Sequence, residues 1–494
     1  MEIISKISYN GTIMRYIPTI GLEIHIEPKT KSKMFCDCPN DSGETQANRN
    51  TCPICLGHPG AMPVANLEAI KSVIRFGLAL GGKIAEKAIF DRKSYFYPDL
   101  PKGYQISQYE HPFVEHGELL GVHITRVHLE EDAGKLVHGD NGKTFVDFNR
   151  GGVPLMELVT DPDVKDGDHA VRFAKELQMI LRYLGISNAD MEKGEMRLEA
   201  NISIRPEGQE KLGTKVEVKN LNSFKSLHDA IDYEIKRQEE VILSGERIIQ
   251  ETRGWDAINN VTFSQRSKEG AQDYRYLPEP DLPPVDLTTD EIINLAALRA
   301  SIPELPESKR RRFESEYGIS FEQAALLVED KQFAEYFEEI ISEIEEDIDA
   351  KEFKRAITTA ANYVLTDLKA VLNNKGMSLA DNKATPENMA DLAIMIIGGE
   401  LTSRMAKDIM EDLVTTDMDP RAIMEKRGMK QVSDAGSLLP VIQGIVANNP
   451  KAVSDYKSGK TNASQFLFGL AMKELKGQGN PDAIRKILEE ELNK

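Results

Sequence analysis

The 494-residue chain carries a formal net charge of −19, with 40% hydrophobic and 29% charged residues. That length accommodates roughly three domains. The charge argues against coating nucleic acid non-specifically, and no apolar run approaches the ~20 residues that cross a bilayer. The first residues, MEIISKISYNGTIMRY, lack the apolar core of a secretory signal. A cytoplasmic protein is expected, with a short extra strand at its start.

In residues 18–28 (PTIGLEIHIEP) strict alternation places Ile20, Leu22, Ile24 and Ile26 on one side of a strand and Glu23, His25 and Glu27 on the other. A half-buried strand with a solvated polar face has the same pattern. The polar row gains interest because segments 124–130, 196–205 and 215–219 also line carboxylates, Arg, Asn or Lys along one side. Next come all four cysteines, Cys36 and Cys38 as CxC, Cys52 and Cys55 as CxxC. Disulfides do not suit a cytosolic setting, and a redox pair would leave the CxC unused. Four thiolates at this spacing suit a closed, tetrahedral, structural zinc.

From Asn66, a plausible N-cap, the pattern turns helical and stops at Gly81 and Gly82. In residues 91–108, Arg92, Lys93 and Lys102 alternate with Tyr95, Phe96, Tyr97 and Tyr104. Cations beside aromatic faces can hold phosphates and stack a base; an aromatic loop clamped over a core is the competing reading. Residues 124–135 end a strand in Glu130, Glu131 and Asp132, adjacent like charges that want a cation nearby. In VPLMELV (153–159), Glu157 sits inside an apolar strand. Buried unpaired it would cost several kcal/mol, so it is paired, binds metal, or faces water from an edge strand.

A helix is expected over 168–184, then a strand with Arg197, Glu199, Asn201, Ser203 and Arg205 on one face. Lys215, Glu217 and Lys219 line the following strand, and Asn220, Asn222 or Ser223 can cap a helix to about 243. Proline density over 278–284 marks a boundary, beyond which amphipathic helices replace strands. The acidic run 335–349 is expected to be a solvated helix face. The expected domains are 1–290, containing the cysteine loop 36–55, a helical domain 291–405, and a small helical tail 406–494. Gly459, Lys460 and Thr461 end like a phosphate loop, but Ser454 stands where its leading glycine is required.

The motifs GLEIH, CPICLGHPGAMPV, DRKSYFYPDLPKGYQISQ, HLEEDAGK, DFNRGGVPLMELV, MRLEANIS, VEVKNLNSF and DYRYLPEPDLPP together resemble the B subunits of the aspartyl/glutamyl-tRNA amidotransferases, over nearly the whole chain. The resemblance implies an α+β fold: an antiparallel-sheet cradle similar to the glutamine synthetase catalytic fold, an all-α domain, and a tail that contacts tRNA. It implies a subunit that uses ATP and Mg2+ to phosphorylate the side-chain carboxylate of mischarged Glu-tRNA(Gln) or Asp-tRNA(Asn), then lets ammonia displace the phosphate. The implied partners are a glutaminase A subunit and a C subunit. His25, Glu131 and Glu157 match the positions that hold the tightly bound magnesium, and Glu23 and Glu199 those near a nucleotide-linked magnesium. By alternation Glu131, not Glu130, shares Leu129's apolar face, so the strand is expected to end or bulge there. The family pattern has Asp where this chain has Glu199, one methylene longer. Arg92, Lys93, Arg197, Asn201, Lys215, Glu217 and Lys219 are candidates for ATP, phosphates or the tRNA end. The cysteine quartet matches the zinc-bearing members, and other members lack it.

Two other classes compete with the kinase reading. A non-catalytic tRNA-binding scaffold would leave the carboxylate faces as mere surface. A related glutamate-specific archaeal subunit usually carries an inserted domain before its helices, against which the compact join at 278–290 argues. No serine in a glycine-rich run and no spare cysteine suggests that this chain makes its own ammonia from glutamine.

Overall fold

The alternating stretch around His25 is the end of a fifteen-residue strand, β1 (Thr12–Ile26), in the computed structural model of the chain. All residues are described except 1–5, 10–11, 42, 140–141, 268–273, 289–291, 430–433, 461 and 476. The chain divides into two units, Met1–Leu305 and Pro306–Lys494. The boundary expected at 290/291 lies outside the described residues.

The first unit is α+β. Its strands include β2 (Asp91–Ser94), β3 (Tyr104–Ser107), β4 (Val122–Glu131), β5 (Pro154–Thr160), β6 (Met196–Pro206), β7 (Val216–Leu221), β8 (Glu251–Asp256) and β9 (Val261–Ser267). In the principal sheet the order is β9, β8, β7, β6, β1, β5, β4, followed by the short strands Val114–Glu115 and Lys83–Ile84. Neighbours are antiparallel except β7 and β8, which run parallel, so the sheet is mixed. The extra N-terminal strand, Lys6–Tyr9, pairs with the start of β1.

β1 is central because both its ladders are filled, by β6 on one side and β5 on the other. Ile20, Leu22, Ile24 and Ile26 are at most 1% exposed. Each such side chain contributes roughly 1.5–3 kcal/mol on burial. They share a core with Val73 and Phe76 of α1 (Leu67–Ala79), Phe173 and Leu177 of α2 (Gly167–Tyr183), and Leu227 and Ile231 of α3 (Phe224–Leu243). The helices begin where side chains satisfy their first N–H groups: Asn66, Asp166 and Ser223 each accept from the opening turn, contributing about 1 kcal/mol apiece. With one face of the sheet covered this way, the polar row of β1 is left on the other.

The second unit is helical among its described residues, from Pro306–Tyr317 to Pro481–Leu492. The acidic run lies on the helix Lys331–Asp347, whose Asp330 accepts from its first turn. Met405, at the expected tail boundary, is buried inside the helix Ser403–Thr415. A separate small core of Leu438, Ile442, Leu467, Ile484 and Leu488 closes the C-terminal helices. Among the described residues no helix is long and apolar enough to cross a membrane.

Candidate functional site

Cross-strand register converts sequence alternation into rows of side chains. Arg197 on β6, His25 on β1, Glu157 on β5 and His128 on β4 are successive ladder partners, forming one row across four strands. Beside it, Glu199 faces Glu23, and Asn201 faces Glu217. Glu157 is buried in a central strand, which disposes of the edge-strand reading. Its Oε2 lies 3.4 Å from His25 Nε2 and 3.5 Å from His128 Nε2. Glu130, two residues beyond His128 on the same face of β4, presents Oε1 at 3.7 Å from His25 Nε2 and Oε2 at 3.9 Å from His128 Nε2.

Burial opposes ionisation of Glu157, but His128 and His25 hold its carboxyl well below the usual range. Burial likewise disfavours the His25 imidazolium, yet Glu157 and Glu130 raise it to about 9. Glu130 is also held low against its burial, with Lys93 first among the causes, then His128. Glu23 goes the other way: burial, then Glu157 and Glu199, push it up to about 7. Carboxylates and imidazoles gathered so closely are suited to a divalent cation. Three groups of donor atoms lie within 4.8 Å of one another: Glu23, His25 and Glu157; His128, Glu130 and Glu157; Glu23, Glu199 and Glu217.

Glu131 is not brought to His25 and Glu157. β4 ends at Glu131, but its ladder with β5 is regular there, shifting only between Val159 and Thr160. Alternation is thus kept, and Glu130 takes the place beside His25. The Glu131 carboxylate faces the opposite side, where Lys102 pairs with it and the Ile106 N–H donates to it at 3.0 Å. Asp132 accepts from Arg197 at 2.8 Å, with Arg150 at 3.5 Å. The three adjacent acids therefore find three different cationic surroundings.

The basic candidates divide. Lys93 projects toward Glu130 and Glu157, whose charges raise its pKa although burial opposes this, and lies 5.3 Å from the Tyr274 ring centre. Its neighbour Arg92 takes the other face of β2 and forms a two-pronged pair with the buried Glu279, 2.7 Å for each bond. Lys219 donates to Glu199 at 2.8 Å and lies 3.6 Å from Glu217. It reaches Glu199 where the β6 and β7 ladder slips, next to Asn220, whose φ of 65° suits the few side chains that tolerate left-handed backbone. Lys215 is exposed just before β7. In the aromatic loop Phe96 and Tyr97 are exposed, while Tyr109 stacks on Tyr276 at 4.5 Å.

The four cysteine sulfurs converge within 4.8 Å, with Cys52 and Cys55 3.9 Å apart. Four sulfurs around one ion at ~2.3 Å stand about 3.8 Å apart, so little movement would be needed. Cys36 beside it lowers the Cys55 thiol to about 5, so that one of the four is poised as a thiolate. Such a cluster can hold a metal. Lys33, 1% exposed, underpins it: its ammonium donates to the carbonyls of Asn50, Gly151 and Phe148 at 2.7, 2.7 and 3.1 Å and sits 3.9 Å from Cys55 Sγ. Gly57 lies so close to Lys102 that a Cβ there would come 2.4 Å from its Cγ. The cysteine loop thus packs directly on the lysine that pairs with Glu131. Metal analysis of the purified full-length protein is expected to find one tightly held ion per chain at these thiols. No metal in the protein as purified, or four freely titratable thiols in its native state, would remove the site.

Sequence reading missed His128 and Glu130 as members of the site, and Lys33 and Lys102 as the residues that tie the cysteine loop down. The first two were within reach: even-numbered residues of β4 share one face, and HLEE places His128 and Glu130 there together. The contacts of Lys33 and Lys102 are between distant segments and leave no local pattern.

Residues 18–293 match the family model described as the GatB/GatE catalytic domain, and residues 333–492 one described as the GatB domain. Among curated relatives, the B subunits of aspartyl/glutamyl-tRNA(Asn/Gln) amidotransferases are similar along essentially their full length. That of Gloeothece citriformis is 44% identical, covering 97% of this chain and 98% of its own. That of Brevibacillus brevis is 43% identical over 97% and 99%, and that of Brachyspira hyodysenteriae 42% over 97% and 100%.

Proposed function

The chain belongs to the family of aspartyl/glutamyl-tRNA(Asn/Gln) amidotransferase B subunits, and on that premise we propose that it activates and amidates the side-chain carboxylate of a mischarged Glu-tRNA(Gln) or Asp-tRNA(Asn). The observation that carries this reading is the row of Arg197, His25, Glu157 and His128, with Glu130, on the face of the sheet opposite the helices. A carboxylate is a poor electrophile for ammonia. Its oxygen attacks the γ-phosphorus of ATP, ADP leaves, and ammonia then displaces phosphate from the acyl phosphate. Such chemistry requires positioning and charge neutralisation above all.

His25, Glu157 and Glu130 hold a divalent cation, and Glu23, Glu199 and Glu217 form a second carboxylate group suited to a nucleotide-linked magnesium. Bound there, Mg2+ neutralises phosphoryl oxygens. Lys93 and Lys219 keep their charge beside these carboxylates and limit repulsion when a polyanion enters; Arg197 is half-exposed at the same face. Arg92, locked to Glu279, supports the aromatic loop, whose exposed Phe96 and Tyr97 can stack on the tRNA end. The cysteine quartet holds a structural zinc. The broad sheet with helices on one face and carboxylates on the other supports the cradle likened to glutamine synthetase. The C-terminal helices bind tRNA through exposed Lys451, Lys457 and Lys460 near the exposed Phe466. Ammonia comes from an A subunit, with a C subunit completing a cytoplasmic complex.

The test uses the full-length chain assembled with its A and C subunits. ADP formation is expected to require mischarged tRNA, and amidated product to form with glutamine or with ammonium chloride. ADP production indifferent to mischarged tRNA, or a complex that binds the tRNA without forming ADP, would favour the scaffold reading instead.

A further inference from the structure

We infer that His128 is a direct ligand of the cation held by His25, Glu130 and Glu157, and that the resulting pair of imidazoles makes this centre select a first-row transition ion such as Mn2+ over Mg2+. This rests on the divalent-cation reading of the site given above and goes beyond it in ligand and in metal.

Four donors alternate around the centre. From His25 Nε2 to Glu157 Oε2 is 3.4 Å, on to His128 Nε2 3.5 Å, to Glu130 Oε2 3.9 Å, and from Glu130 Oε1 back to His25 Nε2 3.7 Å. These separations exceed ordinary hydrogen bonds. Adjacent ligands at ~2.1 Å from one ion stand about 3.0–3.4 Å apart. The donors form two triads that share Glu157, one with Glu23 and His25 and one with His128 and Glu130, each within 4.8 Å, and the two triads draw together about Glu157 to close on one ion.

His128 is not accounted for by packing. Its side chain is 3% exposed, its Nδ1 has no hydrogen-bond partner, and its Nε2 is turned toward two carboxylates. The Nε2 contacts, at 3.5 and 3.9 Å, are longer than ordinary hydrogen bonds, and a cation between Nε2 and the two carboxylates would give that nitrogen a close partner while leaving Nδ1 as it is. The backbone places it deliberately in line: Glu157 has a histidine as ladder partner on each side, His25 on β1 and His128 on β4.

The donor set then decides the metal. Mg2+ strongly prefers oxygen and keeps several waters, whereas imidazole nitrogens suit Mn2+ and the later ions of the row. Two imidazoles and two carboxylates, all at most 15% exposed, leave little of the hydration that Mg2+ favours.

The experiment takes the full-length chain, its cysteine site filled with zinc, stripped of weakly held ions and titrated with Mn2+ while free Mn2+ is followed by electron paramagnetic resonance. One site per chain is expected, displaced by Mg2+ only at a large excess. Pulsed resonance of the bound ion should show two coordinated nitrogens. His128→Gln should reduce this to one nitrogen and weaken Mn2+ at least ~10-fold, the lower end of what is lost when even a partner of a ligand is removed. Its Mg2+ affinity should change much less. One nitrogen in the wild-type protein, or equal affinities for the two ions, would overturn the assignment, and this wild-type readout stands even if the variant misfolds. Those results would leave the proposed activity untouched. No divalent ion at all at this centre would overturn both.

Discussion

Glu157→Gln is expected to lower mischarged-tRNA-dependent ATP cleavage by about two to three orders of magnitude with the fold retained, the scale of losing one strong electrostatic stabiliser. The substitution keeps the side chain's shape but removes the charge that lies between His25 and His128. His25→Ala and Glu130→Gln should fall in the same range, because all three project into one centre. Glu131→Gln should behave differently. Its carboxylate is on the far side of β4, held by Lys102 and the Ile106 N–H, so ATP cleavage should fall far less than in Glu130→Gln. Steady-state ADP release from the assembled complex reads all four. Near-normal turnover in Glu130→Gln, with Glu131→Gln inactive, would show that register had been given too much weight over the family pattern.

Lys33→Met is expected to be the most destabilising single change in the cysteine region. The ammonium satisfies two buried carbonyls and one part-buried one, from two segments: Asn50 on the cysteine loop, and Gly151 and the part-buried Phe148 on the turn leading into β5. Methionine fills similar volume but donates nothing, and each orphaned carbonyl costs about 1–3 kcal/mol, less where water can enter. A net loss of about 3–5 kcal/mol should lower the unfolding midpoint of the first unit by roughly 5–15 °C. Lys31→Met, at an exposed position two residues earlier, should change little. A midpoint for Lys33→Met within two or so degrees of wild type, measured by calorimetry, would mean that the carbonyls find other donors.

What could be read from sequence was local. Period-two alternation identified β1 and its two faces, because one-sided burial of Ile20, Leu22, Ile24 and Ile26 is written directly into residue order. Asn66 is readable as a cap, and Ser223 as one of three candidates with Asn220 and Asn222, for the same reason: an N-cap acts within three residues. The cysteine spacing brought four thiols together on paper as in space. What was not readable depended on pairing between distant strands. The choice between Glu130 and Glu131 follows from which face of β4 meets Glu157: the parity of HLEED puts Glu131 on Leu129's apolar face, and the family's metal positions point to Glu131 only if the strand ends or bulges there, whereas the ladder stays regular through Glu131. Arg92 looked like a free cation because its partner, Glu279, is far along the chain. The parallel pairing of β7 with β8 leaves no signal in either strand, since parallel and antiparallel strands alternate alike.

The row that carries the site also sets the order in which it can be assembled. His25 lies on one of the first strands to leave the ribosome, yet its ladder partner Arg197 is made later by roughly 10–30 s at ~5–20 residues per second. Glu157 and His128 arrive in between. Until β6 docks, β1 presents an apolar face and an unpaired edge to the cell, the condition under which nascent chains aggregate or attract chaperones. Non-local pairings of this kind make folding slow, because loop closure must precede any gain from contact. The candidate metal centre draws its donors from strands spread between His25 and Glu157, so it can close only once β5 has been made, about halfway through the first unit, and a chain released before then has no complete version of it.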